Sequence, residues 1–267
     1  MLEYGDTLIN SKGELEMKSP LKVSLAISAL AMAALACQAL TRLPGLDSGG
    51  ADTSVNTSAP PNPDLSVPAA TEASLPTGDV ILSDEFAPSR NSNWGTGTDA
   101  DSSVEYDGDA LRMKLFTKNY FVWSTPDMED YQDVHIEVTV FSGDTDPTTS
   151  FGILCNQQVT DSAFYYLAMT PGGEYAIAKA AVAQTDVFLT NNDQWGASAL
   201  ISKNASSYRV GADCGHGTLT LYVDGRQIDS VSDSSYTAGG IGLLLWSGEN
   251  VAAANVSFDD FVATKLK

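Results

Sequence analysis

From residue 79 onward, apolar and polar residues alternate in short runs with a period of two, the spacing that puts one face of a β-strand indoors and the other in water. Residues 133–140 place Val134, Ile136, Val138 and Val140 on one face. Residues 218–223 alternate likewise, turn through Asp224-Gly225 and continue in 226–231, a hairpin signature. Pro171-Gly172-Gly173 separates two further candidates, 163–169 and 174–180. The remaining runs are 80–86, 110–117, 121–124, 151–156, 208–214, 240–246 and 255–265. Only 186–200 has room for a helical turn. About a dozen closely spaced short strands predict an all-β domain, an antiparallel two-sheet sandwich of jelly-roll type, with Trp246 and Phe258 between the sheets.

The chain before residue 79 has a different texture. Residues 23–36 form an uncharged run behind Lys18 and Lys22, too short to span a bilayer, which takes about 20 apolar residues. It reads as the h-region of a signal peptide over 17–36, closed by the cleavage pattern Ala34-Leu35-Ala36. Residues 1–16 carry four acids and no apolar run, which does not suit an n-region; we read Met17 as the initiator and 1–16 as an upstream extension. With Cys37 next in line, the stretch resembles a bacterial lipoprotein signal, although Ala34 stands where that motif usually has Leu. Residues 37–78 then make a tether after the lipid-attachment cysteine, rich in Ser, Thr, Ala, Pro and Gly and without an aromatic residue. Such a segment buries too little surface to offset its ordering entropy. The folded domain is expected at 79–267, which holds all four tryptophans.

Charge and cysteine count narrow the setting. Removal of residues 1–36 leaves 11 bases and 30 acids, which argues against nucleic-acid and anionic-membrane partners. Three cysteines are an odd number for an exported chain. If Cys155 and Cys214 form a disulfide, lipidation accounts for Cys37; the alternative is that both are small buried hydrophobes in apolar strands. The expected location is the cell surface or exterior, with the membrane reached through the lipid anchor alone.

Several stretches carry a family likeness: Ile81-Leu82-Ser83-Asp84-Glu85-Phe86 followed by Trp94, residues 120–126 and 150–155, the hairpin 217–228, and the ending Val256-Ser257-Phe258-Asp259-Asp260-Phe261-Val262. Together they resemble the concanavalin A-like lectin/glucanase superfamily, with laminin-G-like and 3-keto-disaccharide hydrolase-like domains as nearest kin. The resemblance implies the sandwich fold and a glycan-related role, whether binding or hydrolysis. Glucanases of that superfamily carry E-x-D-x-x-E on one strand, with two carboxylates on one face as nucleophile and helper. That motif is absent. The acid-rich residues 129–137 have the wrong spacing, and only His135 and Glu137 share a face there, which a wet outer surface explains. No histidine pair with zinc spacing, no G-x-S-x-G elbow and no phosphate loop occurs. No catalytic residue is assigned, and the reading leans away from an enzyme.

Binding is the better-supported chemistry. Sugars stack apolar C–H faces on aromatic rings while amides and acids take their hydroxyls. Trp195, beside Asn192 and Asp193, is the leading glycan-binding candidate, with Trp123, Tyr120 and Trp94 as contributors; each tryptophan could equally cap or fill the core. For a metal, jelly rolls commonly bring first and last strands together, which would unite Asp84 and Glu85 with Asp259 and Asp260. Laminin-G-like relatives often hold a structural calcium, which makes a structural calcium the candidate ion. The alternative is a β-bulge at Asp259-Asp260 whose carboxylates serve local backbone N–H groups. Asp144 and Asp146 form a lesser D-x-D pair. The sequence thus predicts an anchored, non-catalytic domain binding polysaccharide or a surface glycan, with a hydrolase or an adhesive protein as the other readings.

Overall fold

The computed structural model describes residues 78–87, 94–126, 129–143, 145–159, 162–251 and 253–267. The signal segment, Cys37, the tether and Asp144 lie outside the described residues. Sixteen strands and no helix occur among those described. One sheet contains β1 (Val80–Asp84), β2 (Gly97–Thr98), β3 (Ser102–Tyr106), β4 (Leu111–Leu115), β6 (Val134–Phe141), β12 (Ser207–Gly215), β13 (Thr218–Val223), β14 (Arg226–Ser232) and β16 (Ala254–Lys265). The other contains β5 (Phe121–Ser124), β7 (Ser150–Gln157), β8 (Phe164–Met169), β9 (Glu174–Ala180), β10 (Val187–Phe188), β11 (Gly196–Ala197) and β15 (Gly240–Trp246).

The first sheet runs β14-β13-β12-β6-β16-β4-β3-β2, with β1 also on β16; the second runs β10-β9-β8-β7-β15-β5, with β11 also on β9. Every pairing is antiparallel. Alternation decides the faces. On β6, Val134, Ile136, Val138 and Val140 are fully buried against Ile153, Leu167 and Leu243 of the opposite sheet within one core. Phe258 belongs to that core, as the pattern predicts. Cys155 on β7 and Cys214 on β12 form a disulfide across the sheets, which decides between the two readings of these cysteines.

Two departures from the predicted pattern have clear causes. Segment 186–200 forms β10 and β11 on the edge of β9, interrupted by Asn191, Asn192 and Asp193, all with positive φ (46°, 56° and 64°). Asn and Asp tolerate this conformation, and three in succession preclude a right-handed helical turn. In β16 the register slips between Asp259 and Val262, and Asp260 has φ +49°. The extra residue is a β-bulge, and it lets Phe258 and Phe261 both face the core although they are three positions apart.

Candidate functional site: the aromatic outer face of the second sheet

A sheet with one wet side alternates; the central strands of the second sheet do not. Every residue of β8, Phe164 to Met169, is buried. Tyr165, Leu167 and Met169 belong to the inter-sheet core, whereas Phe164, Tyr166 and Ala168 form a second apolar cluster with Leu154, Ala176, Ala178, Ala180 and Leu244. That cluster lies on the outer face. Phe121, Trp123, Phe188 and Trp195 pack against it half-buried.

The registers lay out its floor. Ala176, Ala168, Gly152, Leu244 and Trp123 stand opposite one another in a row across β9, β8, β7, β15 and β5. Small side chains in the middle and indoles toward the edge produce a trough. Its curvature follows from ring distances. Phe121 on β5 and Phe164 on β8 are separated by two strands, or about 14 Å of flat sheet. Their ring centroids are nevertheless 5.9 Å apart and the rings stack. The sheet therefore curls toward this face. Glycines allow the bend: a Cβ on Gly152 would lie 2.1 Å from the Leu167 carbonyl oxygen, and one on Gly242 would lie 2.3 Å from that of Ser124.

Trp195 reaches over the trough from the β9 edge and stacks on Trp246 of β15, with centroids 6.2 Å apart and planes at 20°. Phe188 supports Trp195 at 6.1 Å. The indole N–H of Trp246 is buried and has no acceptor. The Tyr166 hydroxyl donates to Asp186 at 3.0 Å, which sets a carboxylate at the rim, and Glu174 is exposed two positions from Ala176 on the same strand face. Asp193 is occupied in accepting the Phe188 backbone N–H at 2.8 Å, and Asn191 donates to the Trp195 carbonyl at 2.7 Å. The left-handed turn thus holds Trp195 in place, with Asn192 exposed at its middle.

The structure therefore separates the predicted glycan residues. Trp195 and Trp123 share the trough. Tyr120 does not: counted from Phe121 and Trp123, it falls on the opposite face, and it packs against the inter-sheet core. Trp94 is 4 % exposed, donates its indole N–H to Asp84 at 3.0 Å and packs on Phe86 and Phe261. It is a core residue. Trp246, expected between the sheets, lies instead on the outer face. Its position was legible in principle, because β15 is apolar at both parities, which a wet outer face does not allow. Phe121, Phe164, Tyr166 and Phe188 carry the same signal.

At the other proposed site, β1 does pair with β16 and sets Asp84 opposite Phe261. Asp84 accepts the Phe86 N–H at 2.7 Å as well as the Trp94 indole, and Asp259 accepts the Asp260 N–H at 2.7 Å. These are the local duties of a bulge and a turn. Burial pushes the Asp259 carboxyl above its ordinary value, and the charges of Asp260, Asp109 and Glu85 push it further. Asp146 accepts from the Thr148 N–H and hydroxyl, which hold its carboxyl below the ordinary value. Among the described residues, no group of three or more His, Cys, Asp or Glu is placed to hold a metal ion.

The outer face of the first sheet is not simply wet either. His135 and Glu137 are 4 % and 6 % exposed. His135 Nδ1 lies 2.6 Å from Asp213, which accepts the Tyr222 hydroxyl at 2.8 Å; Glu137 accepts two Arg209 bonds at 3.2 Å. Burial alone would lower the His135 pKa, but Asp213 and Glu137 outweigh it and raise it; burial alone would raise Glu137, but His135 and Arg209 lower it.

No family model matches the sequence, and no curated protein matches it. Solved structures do match. A galectin-like-fold protein from Bacillus subtilis is 13 % identical with a TM-score of 0.52, over 70 % of this chain and 96 % of its own. A structure described under endo-acting O-glycanases that members of the human gut microbiota express to initiate mucin breakdown is 10 % identical with a TM-score of 0.50, over 71 % and 100 %. A GlcNAcα1-4Gal-releasing endo-β-galactosidase from Clostridium perfringens is 11 % identical with a TM-score of 0.50, over 76 % and 64 %. The chain has the concanavalin A-like jelly-roll fold.

Proposed function

We propose that this is a glycan-binding domain that holds a polysaccharide or surface glycan in the aromatic trough and does not cleave it. The observation that carries the reading is the Trp195–Trp246 stack over a small-residue floor, with an unpaired buried indole N–H beside it. Exposed aromatic faces take the C–H faces of pyranose rings, and the Trp246 N–H supplies a donor for a sugar oxygen. Binding is favoured over hydrolysis by the strand composition. The outer-face positions of β5, β7, β8 and β15 include Phe121, Trp123, Ser150, Gly152, Leu154, Phe164, Tyr166, Ala168, Gly242, Leu244 and Trp246. None is a carboxylate, and the acids that border the trough, Asp186 and Glu174, both lie on its β9–β10 side rather than on opposite walls. Two of the three fold neighbours named above act on glycans by their descriptions, which is compatible with a glycan-related role.

The test is a glycan array and affinity electrophoresis against soluble polysaccharides. Trp195→Ala and Trp246→Ala should each weaken retention roughly five- to tenfold, the stacking of one sugar on one ring contributing about 1–1.5 kcal/mol. Trp94→Phe, which takes the indole donor from the buried Asp84 carboxylate on the core side of the sandwich, should lower stability by about 2–3 kcal/mol and leave retention unchanged. Retention indifferent to both trough variants would remove the site.

We further propose that the domain is exported and lipid-anchored through Cys37, with residues 37–78 as its tether. Tethering raises the local concentration of a weak site near its polymer. Mass spectrometry of the mature N-terminus should find a diacylglyceryl-modified Cys37; an unmodified cysteine would make the protein freely secreted.

A further inference from the structure

At the disulfide end of the sandwich lies a second concavity that the aromatic trough does not use. It is about 270 Å³ and is built from Gln132 and Asp133 before β6, Asn156 at the end of β7, the β12–β13 turn around His216, and Tyr236 and Thr237 after β14. His216, Thr237 and Gln132 are exposed at the rim, whereas Asn156 and Leu219 are buried at the floor. Three of the wall residues, Asp133, Asn156 and His216, have the same left-handed backbone conformation, φ +52°. Non-glycine residues adopt it at a cost and cluster at sites that the surrounding structure holds in place. Here the holding element is visible. Cys155 and Cys214, which immediately precede Asn156 and Gly215-His216, are disulfide-bonded. Asp133 accepts the His216 N–H at 2.8 Å and so ties the third wall to the turn.

Asn156 is 3 % exposed. Its Nδ2 donates to the Tyr236 carbonyl at 2.9 Å, which fixes the amide orientation, because the flipped form would set two oxygens against each other. Its Oδ1 accepts nothing. A buried carbonyl oxygen without a donor has lost its water without compensation. A hydroxyl entering from the concavity would provide the missing bond. Asp233 is not a spare ligand, since it accepts from Tyr165, Ser235 and Lys179. The lysine on that carboxylate also speaks against a metal ion. What remains is an acceptor at the floor, an aromatic side wall in Tyr236, and a histidine and a threonine at the mouth. We propose that this concavity is a second ligand site, for a single neutral hydroxylated unit such as the terminal residue of a glycan, with Asn156 Oδ1 as its hydroxyl acceptor. The site does not depend on the trough.

The test is titration of the isotope-labelled full chain with glucose, galactose, mannose and N-acetylglucosamine and their methyl glycosides, followed by amide and indole resonances. At least one sugar should shift Asn156, His216 and Thr237 saturably. Asn156→Gly, which keeps the backbone conformation and removes the acceptor, should weaken that binding roughly tenfold or more. His216→Gly, at the exposed rim with the same φ, should weaken it several-fold with an unchanged melting temperature, and it decides the matter if Asn156→Gly fails to fold. Trp246→Ala should leave these shifts intact, which keeps failure here distinct from failure of the trough. The proposal is overturned if no sugar moves these resonances, if the shifts persist in both glycine variants, or if a crystal structure grown in sugar shows only a water on Asn156 Oδ1.

Discussion

His135 shows how a single side chain can couple stability to pH on a surface far from the trough. Its pKa in the folded state is raised above the ordinary 6.5 by Asp213 and Glu137, so its contribution is complete below 6.5 and is lost as pH rises through the folded value. Glu137 has the opposite sign. Its pKa is depressed below the ordinary 4.5, so its contribution is present above 4.5 and is lost as pH falls. The two windows overlap between those values. Urea midpoints measured across pH should therefore peak in mildly acidic solution, and His135→Gln should flatten the alkaline limb and shrink the acidic limb to the part that Arg209 sustains, because His135 is itself one of the groups that lower Glu137. A peak at alkaline pH would contradict the assignment. Trp94 and Trp246 make a related point about single residues. Both are indoles in apolar surroundings, but one has an acceptor in Asp84 and the other has none. A buried donor left unmade costs about 1–3 kcal/mol, which is why the second is a candidate for a ligand and the first is not.

Among the elements, β7 and β12 are joined by more than their side-chain packing. The Cys155–Cys214 bond closes a loop of 59 residues between the two sheets. On the chain-entropy account a loop of this length contributes about 4 kcal/mol, and measured values run about 2–4. Double replacement by Ser should lower the urea-unfolding free energy by about that much without changing far-ultraviolet circular dichroism; an effect near zero would mean that packing alone fixes the strands. At this scale the sequence was informative in an uneven way. The alternation in β6, β13 and β16 predicted strands and faces, and the bulge at Asp259-Asp260 was the alternative to a metal site there, because a slipped period leaves a mark in the order of residues. The strands β2, β3, β10 and β11 were missed. Three of them are two-residue edge pairings and the fourth, Ser-Ser-Val-Glu-Tyr, has one apolar side chain at its centre, so periodicity had little to act on. Trp195 was found from its polar neighbours. Trp246 and Phe164 were not: apolarity at both parities shows that both faces of their strands are covered, but not which face is the core and which the trough.

Across the whole molecule, the first sheet is assembled around its last strand in the sequence. β16 lies between β6 and β4 and also carries β1. Its partners begin at Val80, Leu111 and Val134, so three pairings of long sequence separation close only when residues 254–265 are present. Contacts of this kind slow folding, because loop closure comes before any contact that offsets it. Until that strand is available, the first sheet is left as two separate pieces, β14-β13-β12-β6 and β4-β3-β2, with unpaired edges on β6 and β4 and no partner for β1. β16 is thus the strand that joins the two pieces into one sheet, while the Cys155–Cys214 bond ties the larger piece to the second sheet.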